Sequence, residues 1–143
     1  MNGIATRGES DEMMDGIRKP AGQRTLTLRR DPGAAREARQ FVAGLLGTRQ
    51  ARQEAVETAQ LVSSELVTNA FAHGEGEIEL RVSLLDDRMR LEVIDEGRDQ
   101  APAIRQQRDA EVGGWGLQIV DQLALQWGVF EGTTHVWADL ALG

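Results

Sequence analysis

No cysteine occurs in the 143 residues, so disulfides, thiolate catalysis and cysteine zinc sites are excluded. The two histidines, His73 and His135, are too few for an imidazole-rich metal cluster. No apolar run approaches the roughly 20 residues that a membrane-spanning helix needs, and no membrane partner is expected. The opening stretch, MNGIATRGESDEMMDGIRKP, lacks the apolar core of a secretory signal, so a cytoplasmic location is expected. Positive charge is also scarce. A formal net charge of −7 argues against nucleic acid as a direct partner, because phosphate binding needs a concentrated basic surface. Lys19 is the only lysine, which rules out a Gly-Lys-Ser/Thr phosphate loop.

What is present suits one soluble domain, large enough to bury roughly two thirds of the surface its unfolded chain would expose. Residues 1–22 mix Gly, Ser and acidic residues without periodicity and read as a flexible tail; residues 23–143 form the domain. In QRTLTLRR, Leu26 and Leu28 alternate with polar residues, as in a half-buried strand. Asp31-Pro32 reads as a helix cap and first turn, for a helix that stops near Gly47. A second helix is expected from about Ala51 to His73, closed by Gly74 in a left-handed cap. EIELRVSLL and MRLEVIDEG alternate on either side of DDR, which predicts a β-hairpin. Residues 98–112 read as a long loop or lid. GGWGLQIVDQLALQWG predicts a helix carrying Leu117, Ile119, Val120, Leu123 and Leu125, and VFEG with THVWADLAL a final hairpin. This order predicts an α/β two-layer sandwich: a mostly antiparallel, mixed sheet covered on one face by helices.

The second helix carries an anomaly in SSELVTNAFAHG. With Glu65 at zero on a helical wheel, Asn69 falls at about 40° and His73 at about 80°, among Leu61, Val62, Leu66, Ala70 and Ala72. Ser63, Ser64, Thr68, Glu57 and Gln60 occupy the opposite arc, where water is expected. An unpartnered amide among apolar groups costs about 1–3 kcal/mol, and an ionised carboxylate costs more. Each group could be satisfied in an ordinary buried network. A carboxylate and an amide one turn apart also suit a hard cation such as Mg²⁺.

Two further features carry chemistry. VIDEG places Asp95 at the end of an apolar strand, with Gly97 two residues on: a fixed acceptor beside a backbone that a flat ring can approach. GGWGL sets Gly113, Gly114 and Gly116 where a helix opens, and free backbone N–H groups there favour an anion.

In this order the residues resemble a family. Glu65-x-x-x-Asn69, Asp95-x-Gly97 and Gly114-x-Gly116-Leu117 look like the three boxes of the Bergerat-fold (GHKL) ATPases and kinases, which include gyrase, heat-shock chaperone and histidine-kinase ATP domains. SELVTNAFAHG and GGWGLQIVDQLALQWGV are similar to the bacterial anti-sigma-factor serine/threonine kinases, over roughly residues 24–142.

The resemblance implies the Bergerat fold, ATP and Mg²⁺ as cofactors, and a role for each matched residue. Glu65 would be the general base or orienter of the attacking hydroxyl, and Asn69 the Mg²⁺ ligand. Asp95 would accept from the adenine amino group, and Gly97 would leave room beside the base. Gly114, Gly116 and Leu117 would frame the phosphates. It further implies a sigma factor and a STAS-type anti-anti-sigma antagonist as partners, and a homodimer. The sequence departs from the pattern in a short lid and in the lack of a lysine near the phosphates, where only Arg98, Arg105 and Arg108 are available. Those departures favour a non-catalytic regulatory module of the same fold; Glu65 and Asn69 favour the kinase.

Overall fold

Alternation along the strands decides which residues each face of the sheet presents. The computed structural model describes residues 23–97, 117–130 and 135–143; the expected tail, the lid with its arginines, Gly113, Gly114 and Gly116 lie outside them. The order is β1 (Gln23–Leu28), α1 (Ala34–Thr48), α2 (Gln53–His73), β2 (Ile78–Leu84), β3 (Arg88–Ile94), α3 (Leu117–Leu123), β4 (Gln126–Val129) and β5 (Val136–Ala141). The strands lie in the order β1-β2-β3-β5-β4, and each neighbouring pair is antiparallel. The expected two-layer sandwich is the architecture observed.

On one face, Ile78, Leu80 and Val82 meet Met89, Leu91 and Val93, and these meet Val136, Ala138 and Leu140; all are buried. Helix α2 lies on this face against β2, β3 and β5, with α1 and α3 packed beside it. Helix α1 offers α2 a stripe of buried residues four apart, Ala34, Ala38, Val42 and Leu46. The stripe is small at its start, which lets the two helices approach closely.

The other face is polar and paired across strands. Arg81 reaches Glu79 at 2.9 Å and Glu92 at 3.7 Å, and His135 reaches Glu92 at 2.9 Å. One register step away, Arg90 stands opposite Asp139 and Asp139 opposite Gln126. Arg90 donates to Asp139 through Nε at 2.7 Å and Nη2 at 2.9 Å, and Gln126 Nε2 donates at 2.9 Å. The Arg90 guanidinium also stacks on Trp137, 4.3 Å from the ring centroid, a geometry that favours a cation over an aromatic face.

Several local expectations are corrected. Helix α1 starts at Ala34 with Gly33 as its N-cap; Asp31 instead folds a turn ahead of it, its Oδ1 accepting from Gly33 N at 2.8 Å. The helix runs to Thr48, and its end is closed by Gln50 at φ 56, with Ala51 N donating to Leu46 O. Helix α3 stops at Leu123, because Leu125 N donates to Asp139 O in the sheet, so Gln126, Trp127 and Gly128 belong to β4. Leu125 is exposed. Ser63, expected in water, is fully buried because α1 covers that flank of α2; its hydroxyl donates to Gln60 O, and Arg39 of α1 donates to Ser64.

Asp139 sets a pH-dependent test. Burial alone would raise its carboxyl, but hydrogen bonds from Arg90 and Gln126 and the charges of Arg90 and Arg88 outweigh it and hold the pKa below the ordinary 3.8. A depressed carboxylate stabilises the fold above its unfolded pKa, and the contribution is lost as pH falls through the folded value. Asp139→Asn should therefore cost about 1–3 kcal/mol at pH 7, below the range for fully buried pairs because Arg90 is 37% exposed. In urea denaturation across pH, its gap to wild type should close as the pH drops below 3.8; a constant gap would contradict the assignment.

Candidate functional site

Helix α2 carries Glu65, Asn69 and His73 on successive turns, and the observed burial shows where on the wheel they lie. Ala59, Val62, Ser63, Leu66, Val67, Asn69 and Ala70 are buried, an arc centred about 120° from Glu65. Glu65 lies at the border of that arc and is half-buried, while Asn69 lies just inside it at 4% exposure. Leu61 and Ala72, expected in the core, are exposed on the side next to Glu65. The polar pair thus marks the line where the core face of α2 gives way to an open, partly apolar flank.

The two side chains differ in electrostatic state. Burial pushes the Glu65 carboxyl above its ordinary range, which makes it a stronger base. The Asn69 amide is buried, yet among the described residues its Nδ2 has no acceptor. Native proteins rarely leave such a donor unpaired, so no core network of the described residues holds the amide. Its Oδ1 is the hard oxygen donor type that Mg²⁺ prefers, and Mg²⁺ commonly takes only one or two protein ligands beside phosphates and water. Among the described residues no cluster of three His, Asp or Glu could hold a metal by itself. The donor set therefore fits a Mg²⁺ brought in with phosphates.

The end of α2 abuts the turn after β3. Gly74 has φ −100 and ψ −160, an extended conformation in place of the expected left-handed cap. Its glycine is required by proximity: a Cβ there would lie 1.8 Å from Asp95 Oδ2. Asp95 Oδ1 accepts from Gly97 N at 2.7 Å, which fixes the carboxylate across its own turn. Glu96 N donates to Glu75 O at 2.8 Å. Gly76 supplies the positive φ, +70, that lets the loop pass Glu96. Leu117 is buried at the first position of α3.

Arg30, just past β1, fastens this junction. It donates from Nη1 to the carbonyls of Ala70 and Phe71 and from Nε to Gly76 O at 3.0 Å. Nothing in the local sequence pattern marks this arginine, since its partners lie 40 or more residues on. His135 pairs with Glu92 on the far face of the sheet. A cavity of about 250 Å³ lies at the opposite end of α2 around Arg52, Glu54 and Thr58. A second, about 160 Å³, touches Asp95 but is walled by Glu77, Glu79 and Glu96, which would repel phosphate. Neither is the place where Glu65 and Asn69 converge.

Glu65, Asn69 and Asp95 all fall within the stretch that matches a known domain. The profile of the histidine kinase-like ATPase domain matches residues 28–138. The chain belongs to that family. Membership in an ATPase domain family implies ATP binding. No curated protein matches this ATPase domain. Among solved structures it is similar to the RsbU and RsbW domains of Rv1364c from Mycobacterium tuberculosis, at TM-score 0.62 and 22% identity, covering 88% of this chain. The likeness is one of fold, and the ATPase domain spans 33% of that longer chain.

The contact between α2 and the β3 turn predicts a coupled pair. Gly74→Ala forces a methyl group onto Asp95 and should destabilise by about 1–3 kcal/mol, as overpacking does. Asp95→Ala removes the obstacle, so the double variant should be more stable than the two single losses added together. Urea denaturation of the four proteins measures the coupling, and strict additivity would show that the two residues do not meet.

Proposed function

We propose that the protein is an ATP-binding serine/threonine protein kinase of the anti-sigma type, which phosphorylates a STAS-type antagonist protein and holds a sigma factor when that antagonist is phosphorylated or absent. One observation carries this reading: α2 pairs a carboxylate of raised pKa with a buried amide, one turn apart, whose Nδ2 has no acceptor among the described residues. Family membership and the fold likeness to a chain with an RsbW domain are in line with it. A cytoplasmic location and a homodimer belong to the same reading, as does a kinase domain spanning residues 23–143. Among the described residues no helix is long and apolar enough to cross a membrane.

Phosphoryl transfer asks a protein for positioning and charge stabilisation more than for covalent chemistry. In this reading Asn69 offers Oδ1 to the metal and Nδ2 to a phosphate oxygen. Glu65 orients the serine or threonine hydroxyl and takes its proton. Asp95, fixed by Gly97 N, accepts from the adenine amino group, and Gly97 leaves the ring room. Gly114, Gly116 and Leu117 frame the phosphates. When bound, Mg²⁺ would supply the charge neutralisation that a lysine provides elsewhere.

Nucleotide binding is tested first. Mg-ATP at a hundred times its Kd adds about 2.7 kcal/mol, a melting rise of roughly 5–10 °C for this size. Asn69→Ala should lose the metal-dependent share of the affinity. Its apo stability should hold or rise, because the amide removed strands no partner among the described residues and its unpaired Nδ2 is itself a cost. A wild type that does not shift at millimolar Mg-ATP removes the nucleotide claim.

Catalysis is tested at Glu65. A general base acts on the transition state more than on bound nucleotide. Glu65→Gln should therefore bind Mg-ATP normally, yet transfer labelled phosphate to a purified STAS-type antagonist about 10²- to 10⁴-fold more slowly. Wild-type transfer should also fall as the pH drops through the raised Glu65 pKa. Equal single-turnover rates refute the role of Glu65. Tight antagonist binding with no transfer by wild type would establish the non-catalytic module, which the shortage of lysine favours.

A further inference from the structure

Arg30 joins three backbone carbonyls, those of Ala70, Phe71 and Gly76. Ala70 O and Phe71 O are among the last carbonyls of α2; Ala70 O also accepts from Gly74 N at 2.9 Å, and the guanidinium sits at the negative pole of the helix dipole. Gly76 O belongs to the loop that follows. The planar fork of arginine spans this set; the point charge of a lysine does not. Arg30 also sits directly after the edge strand β1, so it ties the sheet to the end of α2.

What it clamps is the part of α2 nearest the nucleotide residues. Asn69 immediately precedes Ala70. Gly74 lies against Asp95, and Glu75 and Gly76 lie against Glu96. A rotation of the last turn of α2 would move Asn69 and Asp95 relative to each other, and so separate the phosphate end of the site from its adenine end. Among the described residues the buried Arg30 Nη2 has no acceptor.

We infer that Arg30 is a positioning residue of the nucleotide site, which holds the end of α2 and the 74–77 loop so that Asn69 and Asp95 engage one nucleotide together. The inference rests on the nucleotide-binding reading above. The test is Mg-ATP titration of Arg30→Met and Arg30→Lys at a temperature where each is folded, with and without EDTA, beside apo melting curves. Arg30→Met should raise the Kd for Mg-ATP about 10- to 100-fold, as loss of an outer supporting contact does, with most of the loss in the metal-dependent part. Arg30→Lys keeps the charge but not the fork. It should match Arg30→Met in affinity while melting closer to wild type, and it carries the test if Arg30→Met does not fold. Lower melting temperatures with unchanged Kd overturn the positioning role and leave nucleotide binding intact. A wild type that fails to bind Mg-ATP overturns the nucleotide reading, and this inference with it.

Discussion

Helix α2 ends against the turn after β3, where Gly74 lies against the Asp95 carboxylate, and the arrangement of the site depends on that contact. Because a methyl group at Gly74 would overlap the Asp95 carboxylate, the helix can approach the strand end only with glycine there. The approach fixes how far Asn69, five residues back, stands from Asp95. Arg30 donates to two of the final carbonyls of α2, those of Ala70 and Phe71. One junction thus brings together a glycine, a fixed carboxylate and a distant arginine.

The sheet serves this junction by being unequal on its two faces. Its apolar face holds α2 along β2, β3 and β5, which sets the height of Glu65 and Asn69 above the strands. Its polar face carries ordered pairs: Arg90 with Asp139 and Trp137, Arg81 and His135 with Glu92. Surface ion pairs contribute little singly. Asp139 is different, because it is 2% exposed and accepts three hydrogen bonds on the open side of the sheet. That cluster binds β3, β5 and β4 into one rigid plate beneath the helix.

Most of the fold was legible in the sequence because strand alternation and helical periodicity are local signals. β1, the β2–β3 hairpin and α2 lie within a residue or two of their expected places. Features decided by distant contacts were not legible. Gly74 looks like a left-handed cap until Asp95 is seen beside it. Ser63 belongs to a polar arc until α1 covers it. The last turn of the expected third helix becomes strand because Leu125 bonds to Asp139 O. Of the site, the unusual spacing of Glu65 and Asn69 could be read, since polar groups on an apolar arc are anomalous in one dimension. Arg30 could not, because its partners lie 40 to 46 residues away.

The Asn69 amide connects stability to function. Among the described residues its buried Nδ2 lacks a partner, an arrangement that costs about 1–3 kcal/mol. A protein selected for stability alone would place an apolar residue there, as it does at Leu66 and Ala70 on the same arc. In the proposed reading a phosphate oxygen that supplies the acceptor removes that cost, so part of the nucleotide's affinity would come from pairing this donor. The relief is available only if the amide cannot turn away to another partner. Helix α2 packs against the sheet along its buried side, and Arg30 holds its last carbonyls. Under the proposals made above, a fixed end of α2 and an unpaired donor one residue before it would act together, the first holding the second in place for a phosphate.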